Sequence, residues 1–180
     1  CISTPTAGTS NVRLGVNAGQ SIASGTNYNV FIGDTCADAS LSSAINNVGV
    51  GYGALGALTT GDSNVAVGTQ AGNESTTGLK NVLLGAYAGY RMSAGQVHEG
   101  NVLIGYNAGG GSWAADASSH NIAIGMNAMN GAMNSSFSNI AIGTLAGSSI
   151  TTGDYNICMG YEALDNNAGG FYNLALGRAA

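Results

Sequence analysis

One short phrase returns ten times along this chain: Asn, an aliphatic residue, a variable residue, a second aliphatic residue and Gly, followed three positions later by a small residue. Consecutive copies lie 17 to 20 residues apart. A fixed period of this size is typical of stacked repeats, in which one unit cannot bury its apolar side chains alone. The copies fill the chain, so we expect residues 1–180 to form one repeat domain. They begin at Asn11, Asn29, Asn47, Asn64, Asn81, Asn101, Asn121, Asn139, Asn156 and Asn173.

The residue types at the fixed positions of the phrase indicate short β-strands. The two aliphatic positions are separated by one residue and hold mainly Val and Ile, which is the strand pattern. Gly ends the phrase in every copy, from Gly15 to Gly177, as expected for a turn that excludes side chains. The small residue is Ala in every copy except one, where Cys36 stands. We therefore predict an all-β fold, a parallel β-solenoid with one coil for each copy of the phrase.

The columns of the repeat predict how the coils stack. We expect each phrase to lie directly above its predecessor, at the strand spacing of about 4.8 Å, with successive Asn carboxamides hydrogen-bonded along the axis. The aliphatic columns would form ladders inside the rod, and the uniform Ala column implies that the rod is thin. The residue between the two aliphatics would then point outward.

That intervening column is mostly apolar, whereas a solvated strand face would be polar. We predict that it is a self-association stripe, buried against other copies of the chain; three rods around an axis would satisfy it with closed symmetry. The alternative is a monomer with a face of small residues. The predicted stripe comprises Phe31, Ala66, Leu83, Leu103, Ala123, Ala141, Cys158 and Ala175.

Composition and charge narrow the classes of function. Only 7% of the residues are charged, the net charge is −5, and the four basic residues are spread along the chain. Because no basic patch exists, we expect no binding to nucleic acid. The chain has no apolar run of about 18 residues, so we expect no insertion into a membrane. The three cysteines are too few and too widely spaced for a disulfide framework or a zinc site.

The ends of the sequence fall within coils. Residues 1–10 lack the phrase, and the chain stops at Ala180 in the Ala column of the tenth copy. Neither end carries the polar cap that a solitary solenoid needs. We expect either a segment of a longer solenoid or a subunit whose end completes the beginning of the next one.

The phrases at 64–68 and 139–143, Asn-Val-Ala-Val-Gly and Asn-Ile-Ala-Ile-Gly, resemble the head repeats of trimeric autotransporter adhesins. They are similar also to repeats of phage tail-fibre shafts, in which turns such as the Thr-Thr-Gly-Asp of residues 151–154 recur. The resemblance covers essentially the whole chain. It implies a left-handed β-roll, a homotrimer and a place in an extracellular fibre, at a cell surface or on a virion.

No arrangement of residues points to catalysis. The two histidines lie in different coils, outside the repeated columns, and the acidic residues form no ladder at the coil period that could bind calcium. No Gly-rich segment is followed by the Lys-Ser or Lys-Thr of a phosphate-binding loop. We therefore expect a protein that is not an enzyme and that needs no cofactor or metal.

The two longest spacings are consecutive, from Asn81 to Asn121. Because the core must stay in register, the extra residues must bulge outward, and such loops are common binding sites. We predict a candidate ligand-binding bulge here; the alternative is that its side chains pack on the rod or on a neighbour. Its residues are Tyr90, Arg91, His98, Glu99, Trp113 and His120.

These observations favour a structural protein of an extracellular fibre, either a trimeric shaft segment or a subunit that polymerises end to end. A second hypothesis is a receptor-binding module of a phage tail fibre or bacterial surface adhesin, with a cell-surface glycan or protein as its receptor. A third is ice binding by Thr pairs on a flat face, but pairs such as Thr59-Thr60 are too few for a regular array.

Overall fold

A computed structural model describes residues 8–92, 96–113 and 116–180. Throughout these ranges the chain is all-β and contains no helix, so none has the length and apolar character needed to cross a membrane. A ten-stranded parallel sheet runs along the molecule. Its strands are β1 (Val12–Leu14), β3 (Val30–Ile32), β5 (Val48–Val50), β6 (Val65–Val67), β7 (Val82–Leu84), β8 (Val102–Ile104), β9 (Ile122–Ile124), β10 (Ile140–Ile142), β11 (Ile157–Met159) and β12 (Leu174–Leu176). A short second sheet pairs β2 (Ser21–Ile22) with β4 (Ser40–Leu41).

Every strand between the two ends of the large sheet pairs with the strand of the preceding and of the following coil, in the register that the repeat predicts. Val82 of β7, for example, lies opposite Val65 of β6 and Val102 of β8. The hydrogen bonds continue into the turn, where Gly85 N donates to Val67 O at 2.8 Å. The parallel β-solenoid predicted from the spacing is therefore confirmed.

The repeated asparagines form a continuous ladder through the rod, also as predicted. The backbone N and the side-chain Nδ2 of Asn101 both donate to Asn81 Oδ1, at 2.9 and 3.1 Å. The same Nδ2 donates to Ser118 O at 3.0 Å. Asn121 repeats the arrangement one coil further on. Each such carboxamide thus joins two coils and also ties the strand to the returning half of its own coil.

The glycine that ends each strand holds a backbone conformation that disfavours side chains. In all ten copies its φ lies between 121° and 139°. Stacking adds a second restriction, because a Cβ built on Gly85 would lie 2.5 Å from Gly105 O in the next coil. Both the torsion angle and the close approach of the coils therefore exclude a side chain at this column.

The two faces of the sheet are reversed relative to the sequence-based prediction. The column between the aliphatic positions points into the core, and its members are buried within a single chain: Phe31, Ala66, Leu83, Leu103, Ala123, Ala141, Cys158 and Ala175. The prediction that these residues form an outward self-association stripe is wrong. The Val, Ile and Leu columns point outward, and every one of their side chains is partly or fully exposed.

The width of the rod explains this reversal. The column opposite the sheet is the Ala column, whose described members before the last coil are all buried, so little depth remains between the walls. The larger residues of this inward column lie beside glycine. Phe31 lies next to Gly19 and Gly49, where an added Cβ would be 3.0 and 3.3 Å from its ring. Leu103 similarly lies over Gly109, where a Cβ would be 2.6 Å from Leu103 Cδ1. Two columns of branched side chains would not fit this interior.

The stacked glycine column gives a direct test of the fold. We expect Gly85→Ala to destabilise the chain by more than about 3 kcal/mol, because it combines a strained φ, costing roughly 1–3 kcal/mol, with a clash against backbone. Gly177→Ala is the matched control, since Gly177 has a similar φ of 121° but no atom within 4 Å of the added Cβ. Urea unfolding followed by circular dichroism measures both. Equal, small losses would contradict the stacked arrangement.

Candidate functional site

The predicted bulge divides into core residues and surface residues. Trp113 and His98 are buried, so neither is available to a surface ligand, and including them in the binding patch was wrong. For these two residues the alternative, packing on the rod, holds. Trp113 occupies a core column that continues through the long coils. Met92 is buried in the same column of the preceding coil and pairs with Trp113 through an isolated parallel β-bridge. The extra residues of the coil therefore leave the core column intact.

His98 stands in a column that other coils fill with small residues such as Ala44, Gly78 and Ser118. Its Nδ1 accepts a hydrogen bond from Ser118 N at 3.1 Å, and its ring packs edge-on against Trp113, with centroids 5.1 Å apart. Nε2 is buried and has no hydrogen-bond partner. Burial lowers the pKa of His98 below its ordinary value. The ring is therefore a neutral core group, and protonation would place a charge inside the rod.

The other predicted bulge residues lie at the surface. Arg91 is exposed, and its guanidinium carbon lies 5.8 Å from the centre of the Tyr90 ring. His120 is exposed too. Glu99 forms an ion pair with Lys80, and the hydrogen bond from Lys80 holds the pKa of the Glu99 carboxyl below its usual range. The structure thus brings Tyr90 and Arg91 together, and separately joins Glu99 to Lys80.

Clusters of metal-ligating side chains, cavities and reactive thiols are common settings for catalysis. Across residues 8–92, 96–113 and 116–180 there is no cluster of three His, Cys, Asp or Glu side chains that could hold a metal ion, and no cavity. Cys36 and Cys158 are buried free thiols, and burial raises the pKa of Cys36 to about 12 and that of Cys158 to about 11. Neither thiol therefore forms the reactive thiolate at neutral pH.

The feature that sequence reasoning missed is the exposed side of the large sheet, here called the aliphatic face. It consists of the two outward side chains of each strand, from Val12 and Leu14 at one end to Leu174 and Leu176 at the other. Because the strands stack in register, these side chains form two continuous apolar columns along the rod. The uniform Ala column was the signal that could have revealed them. Of the two sides of each strand, a thin interior admits the one with the smaller residues and excludes the two aliphatic side chains.

Comparison of the chain with protein-family models, with curated proteins and with solved structures finds no match in any of the three.

The buried His98 predicts a specific pH dependence of stability. Its pKa is lower when folded than when unfolded, so its full contribution is present above the unfolded value of about 6.5 and falls as the pH drops below it, by up to about 1.4 kcal/mol per pH unit. His98→Gln should remove this slope. His120→Gln, the same substitution at an exposed histidine, is the control for the change of side chain. Urea unfolding between pH 7.5 and 5, followed by Trp113 fluorescence, distinguishes them; identical profiles for wild type and His98→Gln would contradict the assignment.

Proposed function

We propose that this chain is a non-enzymatic structural subunit of an extracellular fibre, and that it self-associates through the aliphatic face. The observation that supports the proposal most strongly is the face itself. Soluble monomers rarely expose a contiguous apolar patch larger than a few hundred Å², and such patches commonly mark interaction sites. Here two apolar columns extend along a ten-stranded sheet.

A second copy of the same chain is the occupant that fits this face best. The face is regular because its strands repeat in register, so an identical face is complementary in length and spacing. Side chains such as Val67, Ile157 and Met159 are 37–42% exposed in a single chain and could interdigitate with their counterparts. A closed arrangement of three rods would cover every copy of the face equally. We therefore propose a homotrimer with the aliphatic faces directed toward a common axis.

The internal construction of the rod suits a load-bearing role. Each strand between the two ends is hydrogen-bonded on both sides, so exposed sheet edges are confined to the terminal coils. The buried Asn ladder supplies polar contacts between coils without charged groups. The stability of stacked repeats comes largely from contacts between neighbouring coils, and each inner coil has two neighbours. These properties support a stiff shaft in preference to a mobile binding domain.

Charge introduced into the aliphatic face tests the proposal. We expect Val67→Lys to lower the oligomer mass to that of a monomer or weaken association at least about 100-fold, because an unpaired charge in a dry interface costs several kcal/mol. The fold should persist, since Val67 is partly exposed in the single chain. Thr60→Lys is the control: it adds the same charge at an exposed position outside the face, on the returning half of the preceding coil. Light scattering coupled to size-exclusion chromatography gives the mass, and a monomeric wild-type chain at high concentration would reject self-association.

A receptor-binding module remains the second candidate, supported by the surface position of Tyr90 and Arg91. We do not propose ice binding. The hydroxyls of Thr59 and Thr151 donate to Thr76 O and Ala168 O in the next coil, both at 3.0 Å, which indicates a structural use for these threonines.

A further inference from the structure

Three tyrosines and one arginine meet on the surface where the long coils begin. The rings of Tyr87 and Tyr90 pack edge to face with centroids 5.6 Å apart, and those of Tyr87 and Tyr106 do so at 5.8 Å. Arg91 lies over Tyr90. Tyr106 belongs to the next coil and is 55% exposed. This tyrosine–arginine cluster therefore spans two coils and presents aromatic surface to solvent.

Arg91 forms no ion pair in the described part of the chain, and the exposed Glu74 stands one coil before it, where Glu74 N donates to Tyr90 O at 3.0 Å. Within the parts of the chain that the structure describes, the one ion pair is that of Lys80 with Glu99. The interaction found for the Arg91 side chain is with the Tyr90 ring, which orients a guanidinium without consuming its hydrogen-bond donors. A guanidinium of this kind is suited to a carboxylate, which it can contact through two parallel hydrogen bonds.

The shape of the surface narrows the class of ligand. No cavity exists in the described residues, so a small molecule would not be enclosed. An extended peptide would need a free strand edge or a groove, whereas the strands of this region are paired on both sides. A saccharide needs neither, because the apolar face of a sugar ring stacks directly on an exposed aromatic ring while its substituents reach neighbouring polar groups.

We propose that the tyrosine–arginine cluster binds an acidic saccharide, with one sugar ring stacked on Tyr106 and a uronate carboxylate bound by Arg91. The hydroxyl groups of the tyrosines supply further hydrogen bonds to sugar hydroxyls. This proposal does not depend on self-association, because none of the cluster residues belongs to the aliphatic face. It gives the receptor-binding hypothesis a defined ligand chemistry.

The chain contains its own comparison site. Arg178 lies over the ring of Tyr161, with a separation of 5.6 Å that matches the Arg91–Tyr90 pair. Tyr161 also forms a hydrogen bond with Glu162, which raises the pKa of Tyr161 and places a carboxylate beside the pair. The Glu162 carboxylate contacts the Tyr161 hydroxyl directly, which disfavours an acidic ligand at this pair, and no further tyrosine ring packs on Tyr161 in the described residues. The pair therefore has the same cation–ring geometry without the proposed specificity.

The test uses the full chain and two probes of equal length, trigalacturonate and its neutral methyl ester, with binding measured by calorimetry and by NMR shifts. We expect trigalacturonate to bind and the ester to bind at least about tenfold more weakly. Arg91→Gln and Tyr106→Ala should each weaken trigalacturonate binding by about tenfold or more. The control variants Arg178→Gln and Tyr161→Ala should bind like wild type. Circular dichroism should show an unchanged fold for all four.

Three results would overturn the proposal: no trigalacturonate binding at millimolar concentration, equal binding of the acid and the ester, or undiminished binding by Arg91→Gln. The mass of each sample, measured alongside, separates this proposal from that of the fibre. A monomer that binds the probe contradicts self-association only, and an oligomer that does not bind contradicts the saccharide site only.

Discussion

The Asn ladder is the interaction on which the rest of this structure depends. Each rung fixes the register of two coils through bonds that suit a carboxamide: Asn101 Oδ1 accepts from the following coil, while Nδ2 donates both to the preceding rung and to a backbone carbonyl, and a hydroxyl has only one donor. It also anchors the returning half of the coil through a backbone carbonyl. The residue before each rung has a left-handed backbone, including Lys80 at 56° and His120 at 59°, which turns the chain into the strand. The Asn position thus sets the register between coils, follows the turn into the strand and closes the coil.

Once the coils are held in register, the remaining columns follow from the space available. Coils at strand spacing bring each strand-ending glycine against the backbone of the next, and the inward column of the large sheet holds mainly Ala, Cys or a Leu or Phe that lies beside glycine. The branched aliphatic residues are left on the outer side of the same strands. Small residues on the inner side of the sheet are therefore coupled to an apolar outer side, and it is this outer side that the proposed assembly of several rods would cover.

Sequence reasoning predicted the period, the strands, their register, the Asn ladder and the buried Ala column, because each follows from spacing and residue type. It could not decide which side of the strand faces inward, since alternation fixes only that Val65 and Val67 share a side and Ala66 takes the other. Assigning the larger residues to the core was physically reasonable for a thick sandwich and wrong for a narrow coil. Trp113 and His98 were misplaced for a related reason: longer coils can keep their core column and bulge elsewhere.

Hydrogen exchange of the side-chain amides, followed by NMR, tests the central claim most directly. The Asn carboxamides of the buried rungs, such as Asn47, Asn101 and Asn139, should exchange far more slowly than that of the exposed Asn17. Their protection should follow the free energy of global unfolding and change by the same amount at every rung, because every rung is bonded to the next. Rung carboxamides that exchange as fast as that of Asn17 in the folded chain would contradict the ladder and, with it, the account of the fold.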